Sequence, residues 1–123
     1  MFDIKFYEDK DGNAPIVGYI KDLDNKAPTS KTARVRLKKI YEYLNVLSQY
    51  GTIAGMPYVK HIDGDIWELR PTNDRVFFFY WKDKQYLMLH QFIKKTNKTP
   101  QREIEQAKRN MADYLERSNE DEK

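Results

Sequence analysis

Two arginines flank the segment PTND at residues 71–74: Arg70 ends one candidate strand and Arg75 opens the next. If the segment is a turn, the two guanidinium groups lie opposite each other and repel, because like charges across a strand pair destabilise a sheet. A phosphate between them would remove the repulsion, since guanidinium groups bind phosphate oxygens in a bidentate fork. The alternative is structural, with Glu68 paired to one of the arginines.

Aromatic side chains follow Arg75 in the candidate strand RVFFFYWK, and the strand QYLMLHQFI comes after a turn at KDK. With Lys82 paired to Gln85, the alternation of side chains along a strand defines two faces. One face is almost wholly apolar and packs on the helices: Trp67, Leu69, Val76, Phe78, Tyr80, Leu87, Leu89 and Ile93. The other face mixes charged groups with rings: Glu68, Arg70, Arg75, Phe77, Phe79, Trp81, Tyr86, Met88, His90 and Phe92.

The mixed face has the chemistry of an RNA-binding surface. Its arginines would hold phosphate, while Phe77 and Phe79 would stack on bases, with Glu68 and His90 beside them. The alternative is that the rings complete a second small core. The assignment depends on the assumed register, because a slip of one residue moves a strand's side chains to the opposite face.

The two histidines could transfer protons near such a phosphate, because histidine changes charge around neutral pH. His61 lies beside Lys60 in a short candidate strand, and His90 lies within the last strand. They lack metal-binding spacing, the chain has no cysteine, and the acidic residues form no evident pair. We therefore expect no metal site and no cofactor.

A run of lysines follows the last strand and precedes a helix, in the segment KKTNKTP. A helix N-terminus favours anions, so this segment is a second candidate for phosphate binding. A solvated turn is the alternative. The residues concerned are Lys94, Lys95 and Lys98.

The elements that position these residues follow from the apolar spacing. FDIKFY alternates as a strand, Asn13 and Pro15 can begin a short helix, and Thr29 or Ser30 can cap a second helix that ends at Gly51. Four strands follow. A last helix, capped by Thr99, has one apolar face: Ile104, Ala107, Met111 and Leu115. The order predicts an α+β fold with a small, mainly antiparallel sheet against an N-terminal helical hairpin and a C-terminal helix.

Length and composition predict one domain at residues 1–117 and a polar tail at 118–123. The net charge is +3, and the basic residues concentrate in two internal stretches, 29–50 and 85–115, which permits an anionic partner. No apolar run approaches the ~20 residues that span a membrane. The N-terminus lacks the features of a signal peptide, so we expect a cytoplasmic protein without membrane contact.

The segments WELRP, DRVFFFYW and YLMLHQFIKKTNKTPQREIEQAKRNM together resemble the RelE/HigB family of bacterial toxins, most closely its phage-derived HigB-like branch. The resemblance covers most of the chain and implies a RelE-like toxin fold. It also implies a ribosome-dependent mRNA endoribonuclease, and the lack of an evident acidic pair predicts that the cleavage needs no metal. The implied partners are mRNA on the ribosome and an antitoxin, typically a helix-turn-helix protein of the HigA type, in a heterotetramer.

The resemblance also implies roles for individual residues. The arginine of the LR pattern falls on Arg70, and the arginine that opens the next strand falls on Arg75. The basic pair after the last strand falls on Lys94 and Lys95, and the basic position before the central hairpin falls on Lys60 or His61. We expect His61 or Lys60 to be the general base and Arg70 to make the largest contribution to phosphate stabilisation. Two alternatives are a gyrase-directed toxin of the same fold and a non-catalytic RNA-binding module.

Overall fold

The computed structural model describes residues 1–121 of the chain, and its element order is the predicted one. The elements are β1 (Asp3–Phe6), α1 (Pro15–Lys26), α2 (Lys31–Tyr50), β2 (Val59–Asp63), β3 (Ile66–Leu69), β4 (Asp74–Tyr80), β5 (Gln85–Ile93) and α3 (Gln101–Asp121). The predicted α+β class is confirmed. Because α3 extends to Asp121, residues 118–121 of the predicted tail are helical, and residues 122–123 lie outside the described residues.

The five strands form one sheet in the order β1-β5-β4-β3-β2. β2 to β5 are successive antiparallel neighbours, whereas β1 lies parallel to β5 at the edge. β1 is much shorter than β5 and pairs only with the segment Gln85–Met88. Within residues 1–121, the last residues of β5 therefore have β4 as their only neighbouring strand.

Local sequence explains where the two N-terminal helices begin and end. Pro15 occupies the first turn of α1, as predicted, but Asn13 does not cap it: its amide donates to Asp9 instead. Ser30 is the cap of α2, where its Oγ accepts the Ala33 N–H at 3.2 Å. Gly51 ends α2 with a φ of 64°, a conformation that favours glycine.

Helices cover both faces of the sheet, and each face has its own core. The core beneath α1 and α2 contains Ile16, Leu47, Val59, Leu69, Val76, Phe78, Tyr86 and Met88. The core beneath α3 contains Ile66, Phe77, Phe79, Leu87, Leu89, Phe92 and Ala107. A strand that is apolar on both faces, such as β4, is thus buried on both sides. Within residues 1–121, no helix combines the length and apolar character needed to span a membrane.

The predicted register of the β4–β5 hairpin is wrong in the half nearest its turn. The Trp81 N–H donates to the carbonyl of Gln85, so Trp81 and not Lys82 lies opposite Gln85, and the bond from the Gln85 N–H to the Lys82 carbonyl closes the turn. An irregularity between Phe77 and Phe78 restores the assumed pairing in the other half. This one-residue slip has the expected consequence. It places Leu87 and Leu89 beneath α3, and Tyr86 and Met88 beneath the helical hairpin.

Polar contacts join α3 to both edges of the sheet. The Tyr7 hydroxyl donates to Asp113 at 2.5 Å, and Asp113 also pairs with Arg117 at 3.0 Å. At the far edge, Lys108 pairs with Asp63 at 2.7 Å. These contacts orient α3 across the sheet.

Candidate phosphate-binding and catalytic site

Arg70 and Arg75 face each other beyond the last pair of the β3–β4 ladder, as predicted, and Glu68 lies between them. Its Oε1 is 3.3 Å from the Nε of Arg70 and 3.4 Å from the Nε of Arg75. The Glu68 side chain is buried, with 1% exposure. Of the two interpretations of the arginine pair, the fold therefore shows the structural one, in which Glu68 pairs with the arginines. One carboxylate is shared by both guanidinium groups.

The rings expected to stack on bases are buried beneath α3. Phe77 is 0% exposed and Phe79 is 4% exposed, and both pack with the apolar stripe of the helix. Their assignment to RNA binding is corrected, because a ring sealed inside a core cannot meet a base. Glu68 is likewise buried and is a partner of the arginines, so it offers no exposed surface to RNA.

Arg75 lines a polar cavity of about 340 Å³, which we call the cationic cavity. Its lining residues are Asn73, Arg75, Lys94, Lys95, Thr96 and Asn97. Arg70 is not among them: it lies across Glu68 and donates from Nη1 to the Met56 sulfur. The structure thus brings Arg75 together with the basic pair that follows β5 and leaves Arg70 at the margin.

The lysines of the turn after β5 carry charge that no other residue within 1–121 neutralises by an ion pair. Lys94, Lys95 and Lys98 have no ion-pair partner among the residues that the structure describes. Lys94 and Lys95 lie at the cationic cavity, whereas Lys98 is exposed in the turn outside it. An unneutralised pair of ammonium groups beside a guanidinium favours an anion.

Backbone and side-chain contacts hold Arg75 in place. Its Nη1 donates to the carbonyls of Thr72 at 2.7 Å and Asp74 at 2.9 Å. Asp74 is itself fully buried, and its Oδ1 accepts from the Tyr19 hydroxyl at 2.6 Å and from the Gln91 amide at 3.0 Å. Burial, together with the bond to Asp74, raises the pKa of Tyr19 to about 12, so the phenol stays a proton donor at neutral pH.

The two histidines lie on opposite faces of the sheet. His61 pairs with Trp67, packs edge-on against that ring, and contacts the Gly64 carbonyl at 2.7 Å. His90 pairs with Phe77 and therefore shares the face of Arg75. His61, predicted as a catalytic base, is thus not brought to the arginines, because one step along a strand reverses the face.

His90 is held by an acid that the sequence analysis did not single out. Its Nε2 lies 2.9 Å from Oε1 of Glu103, in the first turn of α3. An ionised carboxylate only accepts hydrogen bonds, so a contact with ionised Glu103 favours the His90 tautomer that carries its proton on Nε2 and leaves Nδ1 without one. His90 is also a diagonal neighbour of Arg75, since Arg75 pairs with Phe92, and such neighbours lie ~7–8 Å apart.

Lys60 is the other predicted base that the sheet places on this face. It pairs with Glu68 on the edge strand β2, so its side chain shares the Glu68 face, and it is exposed. The sequence analysis left the choice between Lys60 and His61 open. The structure places Lys60, not His61, on the arginine side.

Glu103, Asp74, Tyr19 and Gln91 are the site residues that sequence reasoning missed. A signal existed for two of them. Glu103 stands in the first turn of a predicted helix, and Asp74 directly precedes Arg75. Within residues 1–121, no group of three or more His, Asp and Glu side chains is placed to hold a metal ion.

A family model described as "Phage derived protein Gp49-like" matches residues 19–112, more than half of the chain. The chain belongs to this Gp49-like family. Gp49-like proteins belong to the RelE/HigB-like toxin superfamily of toxin–antitoxin systems, which implies an antitoxin partner. The matched residues of this Gp49-like protein include every candidate catalytic residue above. No curated protein matches the chain.

The buried Glu68 of this Gp49-like protein leads to a stability prediction. The Arg75 Nε and the Glu68 Oε2 are buried and have no hydrogen-bond partner among the described residues. The charges of Arg75 and Glu68 are therefore compensated mainly by the ion pair between them. We expect Glu68→Gln to lower the free energy of unfolding by about 3–5 kcal/mol, because it leaves a buried charge uncompensated. Denaturant unfolding checks this against Glu105→Gln, an exposed glutamate on α3.

Added phosphate should reduce the difference in unfolding free energy between the Glu68→Gln and Glu105→Gln proteins. An anion that binds the folded state stabilises it by mass action. Equal stability of the Glu68→Gln and Glu105→Gln proteins would show that Arg75 does not depend on this carboxylate.

Proposed function

We propose that this Gp49-like protein is the toxin of a toxin–antitoxin system and cuts mRNA on the ribosome as a metal-independent endoribonuclease in the cytoplasm. The observation that carries the proposal is the cationic cavity, where Arg75, Lys94 and Lys95 converge and no acidic side chain is among the lining residues. This charge arrangement suits the phosphate of a nucleic acid. His90, the diagonal neighbour of Arg75, supplies the proton transfer that phosphate cleavage needs.

The cleavage starts at the ribose. The basic Nδ1 of His90 takes the proton of a 2′-hydroxyl, while Glu103 accepts from Nε2–H and stabilises the imidazolium that forms. Lys60, on the same face, is the second candidate for the base. The 2′-oxygen then attacks the adjacent phosphorus. DNA lacks this hydroxyl and is inert.

Charge builds on the phosphate oxygens as the new bond forms. Arg75 stabilises this charge through its guanidinium, with Lys94 and Lys95 beside it and Arg70 contributing from the margin. The bond to the 5′-oxygen breaks, and that oxygen takes its proton from Lys94 or Lys95. The products are a 2′,3′-cyclic phosphate and a 5′-hydroxyl.

Contacts with the ribosome would come from surfaces outside the cavity. Helix α2 carries all five basic residues of the stretch 29–50, and ribosomal RNA would bind them through phosphate contacts alone. Lys98 and neighbouring exposed groups extend the basic surface around the turn after β5.

Primer extension on mRNA from cells that express the protein tests this function against the two alternatives. Specific new 5′ ends support cleavage. DNA damage without new ends would indicate a gyrase-directed toxin. If neither new ends nor DNA damage appear, an RNA-binding module is the remaining alternative. The same reaction is then repeated with purified protein and programmed ribosomes.

Cleavage on programmed ribosomes should survive chelation of divalent ions. The described residues contain no cluster of side chains that could bind a metal ion. Each step of the proposed mechanism is assigned to a protein side chain. The measurement is the single-turnover rate with and without EDTA, with ribosome integrity followed by sedimentation. A rate lost with EDTA and restored by a divalent ion, on intact ribosomes, would overturn the metal-free mechanism.

Expression of the chain alone should arrest growth, and an antitoxin should relieve the arrest. We propose a helix-turn-helix antitoxin of the HigA type in a heterotetramer. Growth curves and the mass of the purified complex are the measurements, with Arg75→Lys as the weakened toxin. Normal growth at a high level of folded wild-type protein contradicts the toxin assignment.

A further inference from the structure

A second cavity, of about 350 Å³, opens beside the end of β5. It exists because β5 extends past the end of β1, and no further strand among the described residues covers the sheet edge beyond Met88. The space is flanked by Tyr19 of α1 and by Arg102 and Glu103 of α3. Its volume lies at the lower end of the range for small-molecule pockets, roughly 300–1,000 Å³. We call it the edge cavity.

The edge cavity and the cationic cavity are neighbours. Both are lined by Lys95 and Thr96, so a ligand that fills one is in reach of the other across this turn. Their walls differ in kind. The cationic cavity has only polar lining residues, whereas the edge cavity adds the flat and apolar surfaces of Phe92, Ile93 and Pro100.

The polar groups of the edge cavity are mostly occupied already. The Tyr19 hydroxyl and the Gln91 amide donate to the buried Asp74, and Glu103 holds His90. Arg102 and Lys95 are the exceptions, because neither side chain has a hydrogen-bond or ion-pair partner among the residues that the structure describes. The cavity therefore has fixed walls and one unengaged guanidinium.

We propose that the edge cavity binds a guanine base of the RNA, next to the phosphate held in the cationic cavity. A nucleotide consists of these two parts: an anionic phosphate and a flat base with apolar faces and a hydrogen-bonding edge. Arg102 selects guanine because a guanidinium fork matches its O6 and N7 acceptors, whereas the Gln91 amide that would suit adenine is engaged by Asp74. The inference rests on the proposed function and adds its sequence preference.

The first test maps cleavage sites on a randomised mRNA pool with programmed ribosomes. The wild type should favour guanine at one position beside the cut. Arg102→Ala should still cut, with this preference reduced roughly tenfold or more. Arg109→Ala, an exposed arginine two turns along the same helix, is the matched control and should keep the wild-type preference. An unchanged preference in Arg102→Ala, or an equal change in both variants, overturns the proposal.

The second test needs no cleavage. Guanosine 3′-monophosphate, uridine 3′-monophosphate and inorganic phosphate are titrated into the full-length protein and followed by NMR. The guanosine nucleotide should bind tightest in the wild type, and its advantage should vanish in Arg102→Ala. If the advantage appears but no RNA is cut, the nuclease function fails and the guanine site stands. If RNA is cut but the guanosine nucleotide binds no better than the uridine nucleotide, the guanine site is rejected.

Discussion

Replacing His90 with alanine is expected to lower the single-turnover rate of mRNA cleavage by about 10²–10⁴-fold, the usual contribution of a positioned general base. The substitution removes the only basic ring nitrogen on the arginine face of the sheet within residues 1–121. Added imidazole should restore part of the rate, because a small base can enter the space that the ring leaves. Glu103→Gln should cause a smaller loss, since the amide cannot stabilise the imidazolium that forms.

The chain contains its own control for this experiment. His61 is the other of the two histidines, and it packs against Trp67 on the face of the sheet opposite to His90. His61→Ala should therefore cut at close to the wild-type rate. If the His61 and His90 variants lose activity equally, or if imidazole rescues neither, proton transfer does not depend on His90, and Lys60 becomes the preferred base.

Arg75→Ala is expected to lower the same rate by about 10²–10³-fold, because it removes a donor directed at the charge that develops on the phosphate. It should also destabilise the fold by about 3–5 kcal/mol, since Glu68 loses a partner inside the protein. Arg70→Ala should cost less activity, because Arg70 does not line the cationic cavity. Its removal should not raise stability, as repulsion alone would suggest, because Glu68 separates the two charges.

The stability and activity effects of Arg75 can be separated. Arg75→Lys keeps a positive charge beside Glu68 but cannot form the planar fork, so it should recover stability better than activity. Rates are measured well below the melting temperature of each variant, with unfolding followed by circular dichroism. A folded Arg75→Ala protein that cuts at the wild-type rate would show that this arginine serves only the fold.

Much of the fold is predictable because its signals are local. Helical spacing, the cap at Ser30 and the strong strands around FFFYW define the elements and their order without any long-range information. The hairpin register is less accessible, because the irregularity beside Phe77 has no distinctive residue to mark it. Because of that slip, Leu87 and Leu89 both lie on the face opposite to the one that the sequence predicted.

The candidate site shows a sharper limit. Its basic residues were recognisable by type, and the family resemblance assigned them. The burial of Phe77 and Phe79 could have been anticipated, because a strand apolar on both faces requires a helix on each side. The partnership of Glu103 with His90 could not, since it depends on where α3 crosses the sheet.

The parallel pairing of β1 with β5 has a consequence for how the chain acquires its fold. In the antiparallel run from β2 to β5, each strand pairs with the next strand in the chain. Asp3 of β1 instead pairs with Gln85 of β5, from which it is separated by most of the sequence. Distant contacts form late, because closing a long loop costs entropy before the contact is made. We therefore expect β1 to dock onto the sheet last, after the antiparallel run from β2 to β5 has formed.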